Sequence, residues 1–240
     1  MLTDRAEDRR AHLVTVLTAL SGSVDAIGFV ALGGAFTSVM TGNIVLTGVS
    51  LAQAEWPLLW RGLAAITAFV VGCAIGARLA GPAGDGALWP PSVTRVLLVE
   101  LILLVAFGVG WWMYRSDPIG AAQIALLVGN AAALGLQSAA VQRFGVPGLS
   151  TTYLTGTLTN YVTRLATRTP LGPSRVSGRQ LLALVTGGAV GAALVRWAGP
   201  VAPALPLALL VLVLVVGRTL HPGPAIRKPR IRRAEPPTLP

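Results

Sequence analysis

Between Arg10 and Glu55 the chain carries one formal charge, Asp25, and residues 62–77, 118–142, 180–195 and 197–217 contain no Asp, Glu, Lys or Arg. Residues 96–114 contain one, Glu100. Uncharged runs of this length leave few folds open. A helix that crosses a bilayer needs about 20 mainly apolar residues, and six stretches meet that need: 12–32, 58–79, 95–114, 119–142, 179–197 and 201–218. Only 12% of the 240 residues are charged, about half the share of a soluble domain. Six such helices in a soluble core would have no polar faces left for water. The expected fold is therefore an all-α membrane protein, and the lipid bilayer is its first partner. Arg9-Arg10 before an apolar run has the outline of a secretion signal. Asp25 interrupts that run, no small-residue cleavage site follows, and five more apolar segments come after, so cleavage is not expected.

The net charge of +10 is concentrated in two places. Residues 162–180 hold Arg164, Arg168, Arg175 and Arg179, and the end of the chain holds Arg218, Arg227, Lys228, Arg230, Arg232 and Arg233 against Glu235. Basic residues beside helix ends are retained in the cytoplasm during insertion, which accounts for the excess without nucleic acid. The expected division is a cytoplasmic N-terminal arm (1–11), one membrane domain (12–220), and a basic, Pro-rich, disordered cytoplasmic tail (221–240). Cys73, the single cysteine, reads as a small packing residue.

An internal repeat organises the membrane domain. Thr37-Ser38-Val39-Met40-Thr41-Gly42-Asn43 is echoed by Thr151-Thr152-Tyr153-Leu154-Thr155-Gly156-Thr157; at the same offset Gly34 meets Gly148 and Arg61 meets Arg175. One residue out of step, Gly72 and Gly76 meet Gly187 and Gly191. The halves are 12–114 and 119–220. Each Thr-Gly segment follows a break, Gly33-Gly34 in one half and Gly145-Val146-Pro147-Gly148 in the other, and residues 149–163 are too polar to face lipid. Irregular backbone at membrane depth survives only inside protein or along a wet cavity. Both segments are read as broken or re-entrant half-helices, which gives six crossings and inverted repeats. Eight crossings with parallel repeats is the alternative, and it places fewer arginines inside.

Ser23-Val24-Asp25-Ala26, Met40-Thr41-Gly42-Asn43, Gly135-Leu136-Gln137-Ser138 and Leu154-Thr155-Gly156-Thr157-Leu158 follow one another in that order. The set resembles the YoaK-like family of bacterial inner-membrane proteins, a domain of unknown function, over roughly residues 12–220. The resemblance implies a polytopic membrane protein and supplies no substrate, cofactor or reaction.

Asp25 is the sharpest candidate site. An acid in the middle of a spanning helix costs on the order of 2.5–3.5 kcal/mol on insertion and is a functional candidate by default. Its readings are a proton or cation site, a structural partner for an arginine or an exposed helix N-terminus, and, if the first helix is shifted, a place near the interface. The Thr-Gly segments are the second candidate. Thr37, Ser38, Thr41, Gly42 and Asn43, with Ser150, Thr151, Thr152, Thr155, Gly156, Thr157 and Asn160, are suited to capping half-helices or cradling a solute at the midplane. Gln123, Asn130 and Gln137 form a polar stripe expected to face the bundle interior, as cavity lining or as interhelical glue. The paired glycines are expected to bring helices close within the chain or in a homo-oligomer. Glu100 reads as an anchoring residue near an interface. His12 and His221 stand at opposite ends, and no metal-ligand or phosphate-loop pattern is present, so neither an enzyme nor a cofactor is expected. The leading function is a transporter or channel for a small solute or ion; the alternative is a membrane scaffold or assembly factor.

Overall fold

The computed structural model describes residues 2–81, 89–144, 151, 154–167 and 174–220, side chains excepted at 2–6 and 174–177. The 145–148 break, Ser150, Thr152, Arg168 and the 221–240 tail lie outside the described residues. The described chain is helical: α1 (Leu2–Ala31), α2 (Met40–Gln53), α3 (Trp56–Ala80), α4 (Pro91–Met113), α5 (Gly120–Gln142), α6 (Leu154–Ala166), α7 (Ser174–Trp197) and α8 (Ala204–Thr219). Six of these regions are long and apolar enough to span a membrane, and they fall on the six expected stretches. Helix α1 begins at Leu2, so the expected arm is helical almost from the start.

Glycines set the closest contacts. Gly187 lies against Ala19 and Gly191 against Ser23, while Gly22 lies against Leu184 and Gly188. Numbers rise together along both helices, so α1 and α7 run parallel. The same pattern joins α3 to α5: Gly72 meets Ala132, Gly76 meets Leu136, and Gly135 meets Phe69 and Cys73. At most of these positions an added Cβ would strike backbone atoms, which is why the residue is glycine. The expected close approach occurs within the chain.

Other contacts run in opposite directions. Gln137 reaches the Leu17 carbonyl, whereas Gln123 reaches that of Ala31, so α1 and α5 are antiparallel. Trp89 packs against Phe144 with tilted rings and Gly110 lies against Leu126, which makes α4 and α5 antiparallel. Gly108 lies against Pro203 and Leu207 while Gly217 lies against Trp89, which makes α4 and α8 antiparallel. Helices α1, α4 and α7 thus point one way and α3, α5 and α8 the other. Six alternating crossings give this order if α2 and α6 do not cross; eight would force α1 and α5 to be parallel. The core joins α1, α4, α5 and α8 through Leu17, Leu20, Leu97, Leu104, Leu134 and Leu210, all fully buried.

Candidate functional site

The site is built where α1 ends. Gly33 and Gly34 adopt φ of 95° and 81°, a left-handed backbone that glycine tolerates and branched residues do not. The chain turns back there, and Phe36 stacks on Phe29 with ring centroids 4.8 Å apart. Residues 35–38 then run beside the last turns of α1 and reach the level of Asp25.

Asp25 is buried, with 6% of its surface exposed. Its Oδ1 accepts hydrogen bonds from the backbone N–H of Thr37 (2.7 Å), the Thr37 hydroxyl (2.9 Å) and the N–H of Ser38 (2.7 Å). The Ser38 hydroxyl donates to Oδ2 at 2.5 Å. Successive N–H groups facing one oxygen form a concavity that prefers negative charge, and here an acid from the preceding helix fills it. Asn43 secures the same loop: its Oδ1 accepts from the Phe36 N–H (2.9 Å) and its Nδ2 donates to the Phe36 carbonyl (2.7 Å). Two separate signals of the sequence, the intramembrane acid and the first Thr-Gly segment, are one structure.

The other expected residues divide. Thr41 is exposed and Gly42 is half-buried beside Phe36. In the second segment Thr151 and Thr157 are buried, Gly156 is half-buried, and Thr155 and Asn160 are exposed. The hydroxyl of Thr151 has no hydrogen-bond partner. Helix α2 starts at Met40 and α6 at Leu154, the same place in each of the two Thr-Gly segments matched in the sequence.

The polar stripe of α5 faces inward as expected. Gln123 accepts from Arg61 Nη2 (2.8 Å) and donates to the Ala31 carbonyl (3.2 Å), while Arg61 Nη1 reaches the Gly33 carbonyl at 3.5 Å. A cation and an amide thereby close the negative end of α1. Beside them lies a surface cleft of about 380 Å³ lined by Gly33, Gly34, Glu55, Pro57, Leu58 and Arg61. Gln137 Nε2 donates to Ser21 (2.8 Å) and to the Leu17 carbonyl (3.3 Å). Asn130 is fully buried and neither of its amide atoms has a partner. Gln123 and Gln137 act as interhelical glue, and Asn130 does not.

Glu100 corrects a sequence expectation. It is fully buried rather than interfacial, and neither carboxyl oxygen has a partner. Helix α4 starts at Pro91, which puts Glu100 about 13 Å along the helix, close to half the thickness of a hydrocarbon core. The contacts of Trp89 with Phe144 and Gly110 with Leu126 set it level with Leu134 and Gly135, within a turn of Gln137. Gln180 in α7 was not singled out by sequence, yet it is fully buried with both amide atoms unpartnered. Its place at the very start of an apolar stretch gave no hint of that depth.

Residues 13–216 match a family described as protein of unknown function (DUF1275). The UPF0700 transmembrane protein YoaK of Bacillus subtilis (strain 168) is 32% identical over 159 residues, which cover 66% of this chain and 68% of that protein. No solved structure matches.

Proposed function

The chain belongs to the DUF1275 family, is a multi-pass membrane protein and is similar to the transmembrane protein YoaK, and from that premise we propose that it is a transporter or channel for a small solute or ion. The observation that carries this reading is the pair of short helices, α2 and α6, that start at corresponding positions, the first of them seated on a buried carboxylate. Broken helices at matching places in two halves are the best sequence-level pointer to a midplane transport site. Two inverted halves are supported by the exchange of contacts: α1 meets α7 as α5 meets α3, and α1 meets α8 as α5 meets α4. In this reading Asp25 fixes the first half-helix in place, and the solute meets the polar groups of the second.

The test is flux. Purified protein in liposomes is expected to move charge or label with at least one member of a panel of ions and small organic solutes, and silence from folded protein across a broad panel would sink transport. A scaffold reading is favoured by one specific observation, the saturation of Asp25 by four donors. It requires no flux and a partner that co-purifies.

The protein is assigned to a bacterial cell membrane with both termini cytoplasmic, because Arg164, Arg168, Arg175 and Arg179 and the basic tail then stay inside. Cysteines placed at Glu55 and Asp117 in a Cys73→Ala background are expected to react with a membrane-impermeant maleimide on intact cells. Both positions would be protected in an eight-crossing chain.

A further inference from the structure

Two acids lie within the spanning helices, and their surroundings are opposite. Asp25 accepts four hydrogen bonds, from two backbone N–H groups and two hydroxyls. Donors in that number are what an ionised carboxylate, an acceptor only, calls for. Glu100 is fully buried, and no group among the described residues bonds to either of its carboxyl oxygens. Two acids held in unlike environments take different roles.

The packing of α4 explains why nothing reaches Glu100. The buried face of α4 runs through Val93, Val96, Leu97, Glu100, Leu104 and Phe107, in steps of a helical turn. Glu100 therefore stands at a core position, one turn from Leu97 and one from Leu104. Both belong to the apolar cluster that α1, α5 and α8 complete with Leu17, Leu20, Leu134 and Leu210. The neighbouring helices bring no charge to that height. Helix α5 has none from Gly120 to Gln142, and the one in α8, Arg218, is in its last turn. Arg95 of α4 lies five residues back, about 140° around the helix from Glu100. In α3, Arg61 is bonded to Gln123, Arg78 is in the last turn, and Cys73 is a half-buried thiol. In α1, Asp25 is bonded to its loop, Arg10 lies over Phe144, and His12 meets Asp8 and Arg179. Glu7, Asp8 and Arg9 are exposed.

An ionised carboxylate with no donor and no cation beside it is the costliest kind of group an apolar core can hold. A single proton removes that charge and needs no space beyond the oxygen that carries it. We propose that Glu100 is a proton-binding site inside the bundle: its carboxyl holds a proton in this conformation and releases it to water when the pH rises, leaving a carboxylate. The proton reading of an intramembrane acid thereby passes from Asp25, whose oxygens are already bonded, to Glu100. The site adds a proton to the transport reading and does not rest on it, since proton binding is an equilibrium property.

The experiment is infrared spectroscopy on the purified full chain in a neutral detergent, wild type against Glu100→Gln. At neutral pH the difference spectrum is expected to contain the C=O stretch of one protonated carboxylic acid, shifted after exchange into D2O. Raising the pH is expected to remove that band reversibly, as one proton leaves, and to bring up the paired stretches of a carboxylate. Glu100→Leu, an apolar replacement of similar size, supplies the same comparison should the amide variant not fold. A carboxylate signal from Glu100 at neutral pH would overturn the site. So would an acid band that stays until the protein unfolds, because such a group never gives up its proton. Loss of the band on adding sodium chloride at fixed pH would also overturn it, because a metal cation would then be the ligand. An acid band with no flux in liposomes would leave the proton site standing and remove transport. Flux without the acid band would do the reverse.

Discussion

Asp25→Ala is expected to destabilise the protein by on the order of 3–5 kcal/mol, the usual cost of removing one partner from a buried charged interaction. The substitution leaves the N–H groups of Thr37 and Ser38 and both of their hydroxyls without the oxygen that accepts them, three at 2.7–2.9 Å and one at 2.5 Å. Each buried donor left unmade costs about 1–3 kcal/mol, and water entering the gap recovers part of the total. Asp25→Asn is expected to lose less, because its amide oxygen can still accept the three bonds made to Oδ1 and its NH2 group faces only the Ser38 hydroxyl, which can turn to accept. Thermal unfolding in detergent measures the loss. Limited proteolysis localises it, with new cleavage expected between Gly33 and Met40. Formate is expected to restore part of the stability of Asp25→Ala by refilling the vacated place. A midpoint that stays at the wild-type value would show that the carboxylate does not hold the loop, and the anchoring role would fall.

The spans were legible because apolar length and missing charge are local properties of a segment. Gly33-Gly34 was legible as a break for the same reason, and the start of α2 at Met40 and α6 at Leu154 follows the match between Thr37–Asn43 and Thr151–Thr157. Helix directions were only partly legible. The choice between six and eight crossings turned on arginine placement, whereas Gln137 against Leu17 and Gln123 against Ala31 settle that α1 and α5 are antiparallel. The partner of Asp25 was not legible at all. Nothing in residues 32–39 states that they fold back beside α1, so the acid and the Thr-Gly segment stood as separate candidates, and a proton site remained as plausible as a structural partner. Glu100 was misplaced because its distance from Arg95 says nothing of depth until the start of α4 at Pro91 is known. The matched Thr-Gly segments and the helices before them do not share one offset, as the like contacts of Gly22 and Gly135 show.

Gly72→Val and Gly187→Val are expected to be the most damaging substitutions outside the Asp25 cluster, and to be damaging to a similar degree. A Cβ at Gly72 would overlap the Ala132 carbonyl and one at Gly187 the Ala19 carbonyl. Overpacking costs about 1–3 kcal/mol when side chains adjust, but here the obstacle is helix backbone, which cannot rotate aside. The expected loss is therefore at or above about 3 kcal/mol, or roughly 6–12 °C in unfolding midpoint for a chain of this size. Gly129→Ala is the control. Nothing lies within 4 Å of a Cβ at that position in α5, so the substitution is expected to stabilise the helix by about 0.8–1 kcal/mol through propensity alone. If Gly129→Ala were as harmful as the valine variants, the effect would come from helix chemistry and not from contact. If Gly72→Val were harmful and Gly187→Val benign, the α3–α5 and α1–α7 contacts would not be counterparts. Equal losses would show that the α1–α7 and α3–α5 pairs rest on one kind of contact, glycine against helix backbone.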